Sequence, residues 1–341
     1  MPASRCRILL HTERSHAEGA TSSIVLRRIA RLEDVNQSRR VAITMHPVRT
    51  EALDGAAEFI AGMNLHGIEC VVEESRVAEM RRRLPDVRIA ALSNDSQVEL
   101  MVVFGGDGTI LRSAEWALPH RVPLLGVNLG HVGFLAELEA SQIDELIAQV
   151  ADRDYEIEKR LTLAVTVRDG DGRTVWESFA VNEVSTEKAS REKMVDLLVT
   201  IDERPLSRWG CDGVLVASAS GSTAYAFSCG GPVMWPNTEA FEVVPIAAHA
   251  LFSAACVVAP TSTVDLRMVG DMSLGAVVWC DGRRSVDVHA GYGIGVRRNP
   301  DDLQIARLRE QPFTTRLVKK FGLNIDGWRS PGLQRPTPEP C

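Results

Sequence analysis

From residue 41 onward, apolar positions come in short unbroken runs separated by stretches with helical spacing. "VAITM" (41–45) is a run of the kind that forms a strand buried on both faces. In "RTEALDGAAEFIAGMNLHG" (49–67), Ala52, Ala56, Phe59 and Ile60 share one side of a helix. "IECVVE" (68–73) reads as a second strand, "VELMVVF" (98–104) as a third and "VPLLGVN" (122–128) as a fourth. Between the last two, Thr109 to Leu118 carries Ile110, Leu111, Ala114 and Ala117 at helical spacing. Strands alternating with helices predict an α/β N-terminal domain with a mostly parallel sheet.

After about residue 150 the rhythm becomes period two, broken by turns. "LTLAVTVRDGDGRTVWESFAVNEV" (161–184) predicts a hairpin, with Asp169 to Gly172 as its turn. "MVDLLVTID", "DGVLVAS", "STVDLRMV" and "AVVWCDGRRSVDVHA" follow with little helix between them, so this half reads as antiparallel and β-rich. "FTTRLVKKFG" (313–322) returns to a helix, with Phe313, Leu317 and Phe321 spaced by four. "GYGIG" (291–295) reads as a turn or strand edge, not as a second nucleotide loop. Val243–Ala259 is near the short limit for a membrane span. It contains Pro245 and His249, and two buried strands with a turn between them are expected instead.

The pattern divides the chain into an α/β domain at 41–148, a β-rich domain at 149–298 and a C-terminal segment at 299–329. Residues 1–40, rich in Arg and Ser without a period, are expected to be a disordered extension or a start placed too early. The proline-rich 330–341 is expected to be a flexible tail.

Composition narrows the class. The chain has 341 residues, 45% of them hydrophobic, enough for two domains with sizeable cores. A net charge of -7 speaks against broad binding to nucleic acid or a membrane surface, so phosphates must be met by local donors. The seven cysteines form no C-x-x-C and their number is odd, which predicts reduced thiols and a cytoplasmic setting. The eight histidines form no H-E-x-x-H pair, so no transition-metal site is indicated. The N-terminal apolar run "ILL" is too short for a signal peptide.

Chemistry concentrates in three places. The first is "GGDGT", Gly105, Gly106, Asp107, Gly108 and Thr109, directly after an apolar strand and before a helix. Such a turn sits where open α/β sheets bind ligands. Its glycines are expected to take positive φ and to admit a ligand to the backbone, with the helix N-terminus favouring phosphate. Asp107 can hold Mg²⁺ or accept a proton from an attacking hydroxyl; the plainer alternative is a helix cap. The second place is "VNEV", where Asn182 and Glu183 suit the hydroxyls of a sugar or else form a surface turn. The third is "CDGVLVASASGSTAYAFSCGGP" (211–232), dense in small residues and hydroxyls, where Tyr225 could stack on or hydrogen-bond a base.

With "NLGHVGFLAE", "NEVSTEK", "CDGVLVAS", "GSTAYAFS", "FTTRLVKKF" and a late Gly-Trp, the chain resembles the bacterial NAD kinases (ATP/polyphosphate-NAD kinases) over about residues 41–329. The resemblance implies phosphorylation of the adenosine-ribose 2′-OH of NAD to NADP. ATP, or in some members polyphosphate, is the donor, with Mg²⁺ or another divalent metal. It implies a last segment that packs back on the first domain, a homodimer or homotetramer, and NAD contacts partly at subunit interfaces. Asp107 matches the catalytic aspartate, and Gly108 and Arg112 match its neighbours. Asn182 and Glu183 match the ribose pair, Lys193 a basic position beyond it, and Asp212 the residue near the nicotinamide amide. Thr223, Ala224, Tyr225, Ala226, Phe227 and Ser228 match the segment that contacts NAD. Metal ligands are not identified. The chain departs from the family at Ala219-Ser220, Ile246-Ala247-Ala248 and Ala254-Ala255. The rival readings are a non-catalytic dinucleotide sensor and a lipid kinase. An intact Asp107 speaks against the first, and the NAD-side residues against the second.

Overall fold

In the computed structural model, the described residues are 39–128, 133–139, 142–191, 193–270, 275–308 and 312–324. Nearly all of the expected extension, the tail and the Gly-Trp pair lie outside them.

The first half follows the chain as β1 (Arg40–Met45), a helix (Thr50–Leu65), β2 (Glu69–Val72), a helix (Glu74–Arg83) and β3 (Ile89–Ala91). Then come β4 (Leu100–Phe104), a helix (Asp107–His120), β5 (Leu124–Asn128), β6 (Ala136–Glu139), a helix (Ile143–Asp152) and β7 (Glu156–Arg160). Val41, Ile43 and Met45 of β1 join the core beneath the Thr50–Leu65 and Ile143–Asp152 helices. Ala42 joins the opposite core, with Ile110, Leu111 and Ala114 of the Asp107–His120 helix. Both faces are covered, which is why these strands read as unbroken apolar runs. The pairings β1–β2, β1–β4, β2–β3, β4–β5 and β5–β6 are parallel. After β3 the chain crosses to the far side of β1, so the carboxyl ends of β1 and β4 flank the point where strand order reverses.

The second half is a sandwich of two antiparallel sheets. Its strands are β8 (Leu163–Arg168), β9 (Thr174–Ala180), β10 (Glu183–Lys188), β11 (Val195–Ile201), β12 (Arg204–Cys211), β13 (Gly213–Ser218) and β14 (Phe241–Ile246). They continue with β15 (Cys256–Val258), β16 (Thr263–Val269), β17 (Gly275–Cys280), β18 (Arg284–His289) and β19 (Gly293–Arg298). The sheet orders are β15-β14-β13-β10-β17-β18 and β12-β11-β16-β19-β8-β9. One core lies between them, with Trp209 fully buried and its Nε1 donating to the Phe252 carbonyl at 2.9 Å. The β8–β9 hairpin turns where expected, on an Asp169 carboxylate that accepts from the Asp171 and Arg173 amides.

Two expectations change and a third gains detail. Val243–Ala259 gives one buried strand, β14, and a half-exposed one, β15, joined by a long loop in which Leu251 is fully exposed. Among the described residues no helix is long and apolar enough to cross a membrane. The segment 41–148 does not complete the first sheet. β7 and β20 (Leu303–Arg307) close it, with Ile305 paired parallel to Leu124 of β5. Finally, the last helix (Phe313–Phe321) packs back on the first half but also touches the second. Phe313 lies 5.7 Å from Phe134 and 5.3 Å from Trp235, and Phe321 lies 4.8 Å from Phe227. Its buried residue is a cation, Arg316.

Candidate active site

The glycine turn joins the end of β4 to the Asp107–His120 helix, with Gly106 as N-cap at φ -86°. None of Gly105, Gly106 and Gly108 takes positive φ, contrary to expectation. Gly105 is required by crowding, because a Cβ there would lie 2.4 Å from Thr109 Oγ1. Gly106 and Gly108 face open space, which leaves the backbone accessible at a helix N-terminus. Asp107 does not cap its own helix. Its carboxylate reaches across to the chain before β6, where Oδ2 accepts the Phe134 amide and Oδ1 the Leu135 amide, both at 3.0 Å. Gly133 allows that approach, since a Cβ there would come within 2.5 Å of Oδ1. Each oxygen keeps a lone pair for a further partner.

Arg112, one turn along the helix, donates to the Met45 carbonyl at 2.7 Å and meets Glu73 at 3.4 Å. Its guanidinium is thus held at the ends of β1 and β2, on the same sheet edge.

The second half of the site is built on Asp281, which sequence reasoning missed. This buried residue, at φ 54° between β17 and β18, accepts both the Val181 and Asn182 amides and pairs with Arg284 at 2.8 Å. The Asp-Gly turn in "CDGRR" was the available signal. Asn182 therefore enters β10 with a fixed backbone, and its carbonyl accepts the Ser218 amide at 2.8 Å. Glu183 follows, buried, with Oε2 lacking a hydrogen-bond partner among the described residues. Burial first, then the nearby Asp281, pushes its carboxyl up to about 8. Glu183 is thus mostly protonated at neutral pH. The turn Gly221–Thr223 sits directly on Asn182, because a Cβ on Gly221 would lie 2.2 Å from the Asn182 carbonyl oxygen.

The short Tyr225–Ser228 helix follows, with Tyr225 beside Glu183 and Glu187. Thr223 and Ala224 are half-buried and Ala226 is buried, while Tyr225, Phe227 and Ser228 are exposed. Asp212 pairs with Lys188 at 2.6 Å, a partner the sequence reading did not name. Lys193 lies on the exposed connection between β10 and β11.

The halves meet. Val181 shares a core with Ile110 and Leu111, and Arg283 bonds Glu115 of the glycine-turn helix at 2.7 Å. A separate cleft of about 860 Å³ opens beside β7 and β20, lined by Arg160, Arg307, Arg316, Tyr155 and Trp235 among others. Its lining includes neither Asp107, Glu183 nor Tyr225, so the chemistry, not the size of the hollow, locates the site. Among the described residues no three His, Cys, Asp or Glu are grouped to hold a metal ion. That donor set does not fit a protein-caged metal. It does fit a Mg²⁺ carried by phosphates and touched by one carboxylate.

A carboxylate clamped at a Gly-Gly-Asp-Gly turn, beside free backbone at a helix N-terminus, defines a phosphotransferase acting on a small molecule. Residues 33–155 match the model for the ATP-NAD kinase N-terminal domain and residues 181–308 that for the ATP-NAD kinase C-terminal domain. The chain belongs to the ATP-NAD kinase family and phosphorylates NAD. It is 52% identical to an NAD kinase of Cutibacterium acnes over 87% of this chain and 94% of that one. It is 45% identical to an NAD kinase of Mycobacterium tuberculosis over 85% and 98%. Yeast NADH kinase complexed with NADH superposes with a TM-score of 0.79 at 21% identity, covering 87% and 91% of the two chains. An NAD kinase from Archaeoglobus fulgidus in complex with ATP gives 0.61 at 24% identity, over 84% and 100%. These two show the shared fold.

Proposed function

We propose that Asp107 is the general base that directs the adenosine-ribose 2′-OH of NAD onto the γ-phosphoryl of ATP. The observation that carries this reading is the clamp on its carboxylate: two amides fix Asp107 while a lone pair on each oxygen stays available. The hydroxyl oxygen attacks phosphorus in line, the bond to the bridging oxygen of ADP breaks, and Asp107 takes the proton. A loose transition state requires little activation of the nucleophile, so an ordinary carboxylate suffices. The amides of Gly106 and Gly108 face the donor phosphates, with Gly105 shaping the turn; the Thr109 amide is spent on the Gly106 carbonyl at 2.9 Å, so Thr109 closes the loop instead of donating to the ligand. A divalent ion, when bound, offsets phosphate charge, and Asp107 is the residue placed to touch it.

On the NAD side, Asn182 and Glu183 hold the ribose, and Asp212 lies toward the nicotinamide amide. Thr223, Ala224, Tyr225, Ala226, Phe227 and Ser228 form the wall against the dinucleotide, while Arg112 and Lys193 supply positive charge. Polyphosphate is a second candidate donor. We also place the protein in the cytoplasm as a homodimer or homotetramer, with the β-rich half as the interface; light scattering that finds an active monomer rejects the latter. Asp107→Asn keeps the shape and removes the proton acceptor, so kcat is expected to fall about 10²–10⁴-fold with NAD binding retained. Steady-state kinetics with NADP detection decide it, and a wild-type kcat would sink the assignment.

A further inference from the structure

The last helix meets the first half of the molecule through the rings of Phe313 and Phe321 against Phe134 and through one buried cation. Arg316 is 6% exposed, and its Nη1 donates to the Phe134 carbonyl at 3.1 Å and to the Ala136 carbonyl at 2.8 Å. Arg307, at the end of β20, donates to the Leu135 carbonyl between them at 3.3 Å. The same three-residue stretch presents its amides to Asp107 on the other side, from Phe134 to Oδ2 and from Leu135 to Oδ1. The Phe134 carbonyl and the Leu135 amide belong to one peptide unit. A cation therefore touches the oxygen end of that unit and an anion its hydrogen end.

No cis peptide occurs among the described residues, so the C=O and N–H of the unit point in opposite directions. The charges at its two ends both align with its dipole, about 3.5 D. A chain of hydrogen bonds in which each member polarises the next is stronger and stiffer than its separate links. Without the cation, the Phe134–Ala136 stretch would keep its amides but lose what fixes their direction from behind.

We infer that Arg316 is a positioning residue for the phosphoryl transfer: through the Phe134–Leu135 peptide it sets the orientation of the Asp107 carboxylate. This rests on the role proposed for Asp107. Arg316 acts from a different element, 209 positions along the chain, and is buried against the Phe134 and Ala136 carbonyls.

The test is a double-mutant cycle on kcat using Arg316→Met, Asp107→Asn and the pair. Arg316→Met preserves bulk and removes the donors. It is expected to lower kcat about 10–100-fold, because small misplacements of a reacting group carry that penalty, with KM for NAD within about threefold. Arg316→Lys, which keeps a charged donor, is expected to recover part of the loss. In the Asp107→Asn background, Arg316→Met is expected to change kcat little, since the carboxylate it would orient is gone. An equal loss in both backgrounds overturns the inference and leaves Asp107 as base. A wild-type kcat for Asp107→Asn overturns the base itself. Leu317→Ala, on the same helix, separates helix loosening from loss of the carbonyl bonds: if it lowers kcat as much as Arg316→Met at matched folded fraction, Arg316 is only an anchor.

Discussion

At the scale of single residues, the site sets two carboxyls to opposite tasks. Asp107 accepts two amides and faces solvent-accessible backbone, whereas Glu183 is buried beside Asp281 with one oxygen unpartnered. On the proposed assignment, a neutral Glu183 can donate to a ribose hydroxyl without adding charge to the site. Its carboxyl titrates at about 8 when folded, against an unfolded value of about 4.3. The folded state binds this proton more tightly, so the contribution to stability is full below the unfolded value. It is lost progressively as pH rises from about 4.3 to 8. Two outcomes are expected. kcat/KM for NAD falls as pH climbs through 8, and Glu183→Gln, which stays neutral, removes that limb and flattens the pH dependence of Tm over the same window. A pH series of kinetics and melting curves on both proteins checks this; an unchanged alkaline limb in the Gln variant would show that another group titrates.

At the scale of elements, the glycines divide by what surrounds them. Gly221 meets a backbone carbonyl that cannot move aside, while Gly106 meets nothing within 4 Å. Gly221→Ala is therefore expected to displace the Gly221–Thr223 turn and weaken NAD binding about tenfold or more, the loss of one or two hydrogen bonds. Gly106→Ala is expected to leave Tm unchanged and to raise KM for ATP. Calorimetric titration with NAD, together with ATP kinetics, distinguishes the two.

The elements also show what the sequence could convey. Apolar runs, helical spacing and the Asp169–Gly172 turn are local signals, and β1, β4, the Asp107–His120 helix and the β8–β9 hairpin were readable from them. The glycine turn around Asp107 was readable too, as the break between a buried strand and a helix. Asp281, Lys188 and Arg316 were not, since each acts on a partner made distant by chain but near by folding. Asp281 reaches Asn182 across 99 positions, and Arg316 reaches Phe134 across 182. The short polar β7, "EIEKR", carries no sign that it joins a buried parallel sheet.

At the scale of the whole molecule, the two halves are stitched, not merely adjacent. β20 arrives after the entire sandwich and fills a place between β5 and β7. Arg283 and Arg284 meet Glu115, and the last helix sets aromatic rings against both halves. A chain ending at Pro300 would lack β20, whose Leu303, Ile305 and Ala306 are fully buried. Burying three such side chains contributes several kcal/mol, on the order of a domain's whole margin. Such a chain is expected to lose the cooperative melting of its first half. Hydrogen exchange at β1 and β4 measures this; native protection there would show the α/β half to be self-sufficient.

The buried arginine on the last helix carries a consequence for synthesis. A ribosome that has translated as far as Gly230 has already made the glycine turn, the ribose pair and the segment against the dinucleotide. The residue that sets Asp107 from behind is still some 86 codons away. On this reading, a nascent or prematurely released chain carries its recognition motifs with an unset carboxylate, and spends cellular ATP far more slowly than the complete chain. Competence for phosphoryl transfer arrives as a late event in translation, at the same moment as the strand and helix that complete the fold.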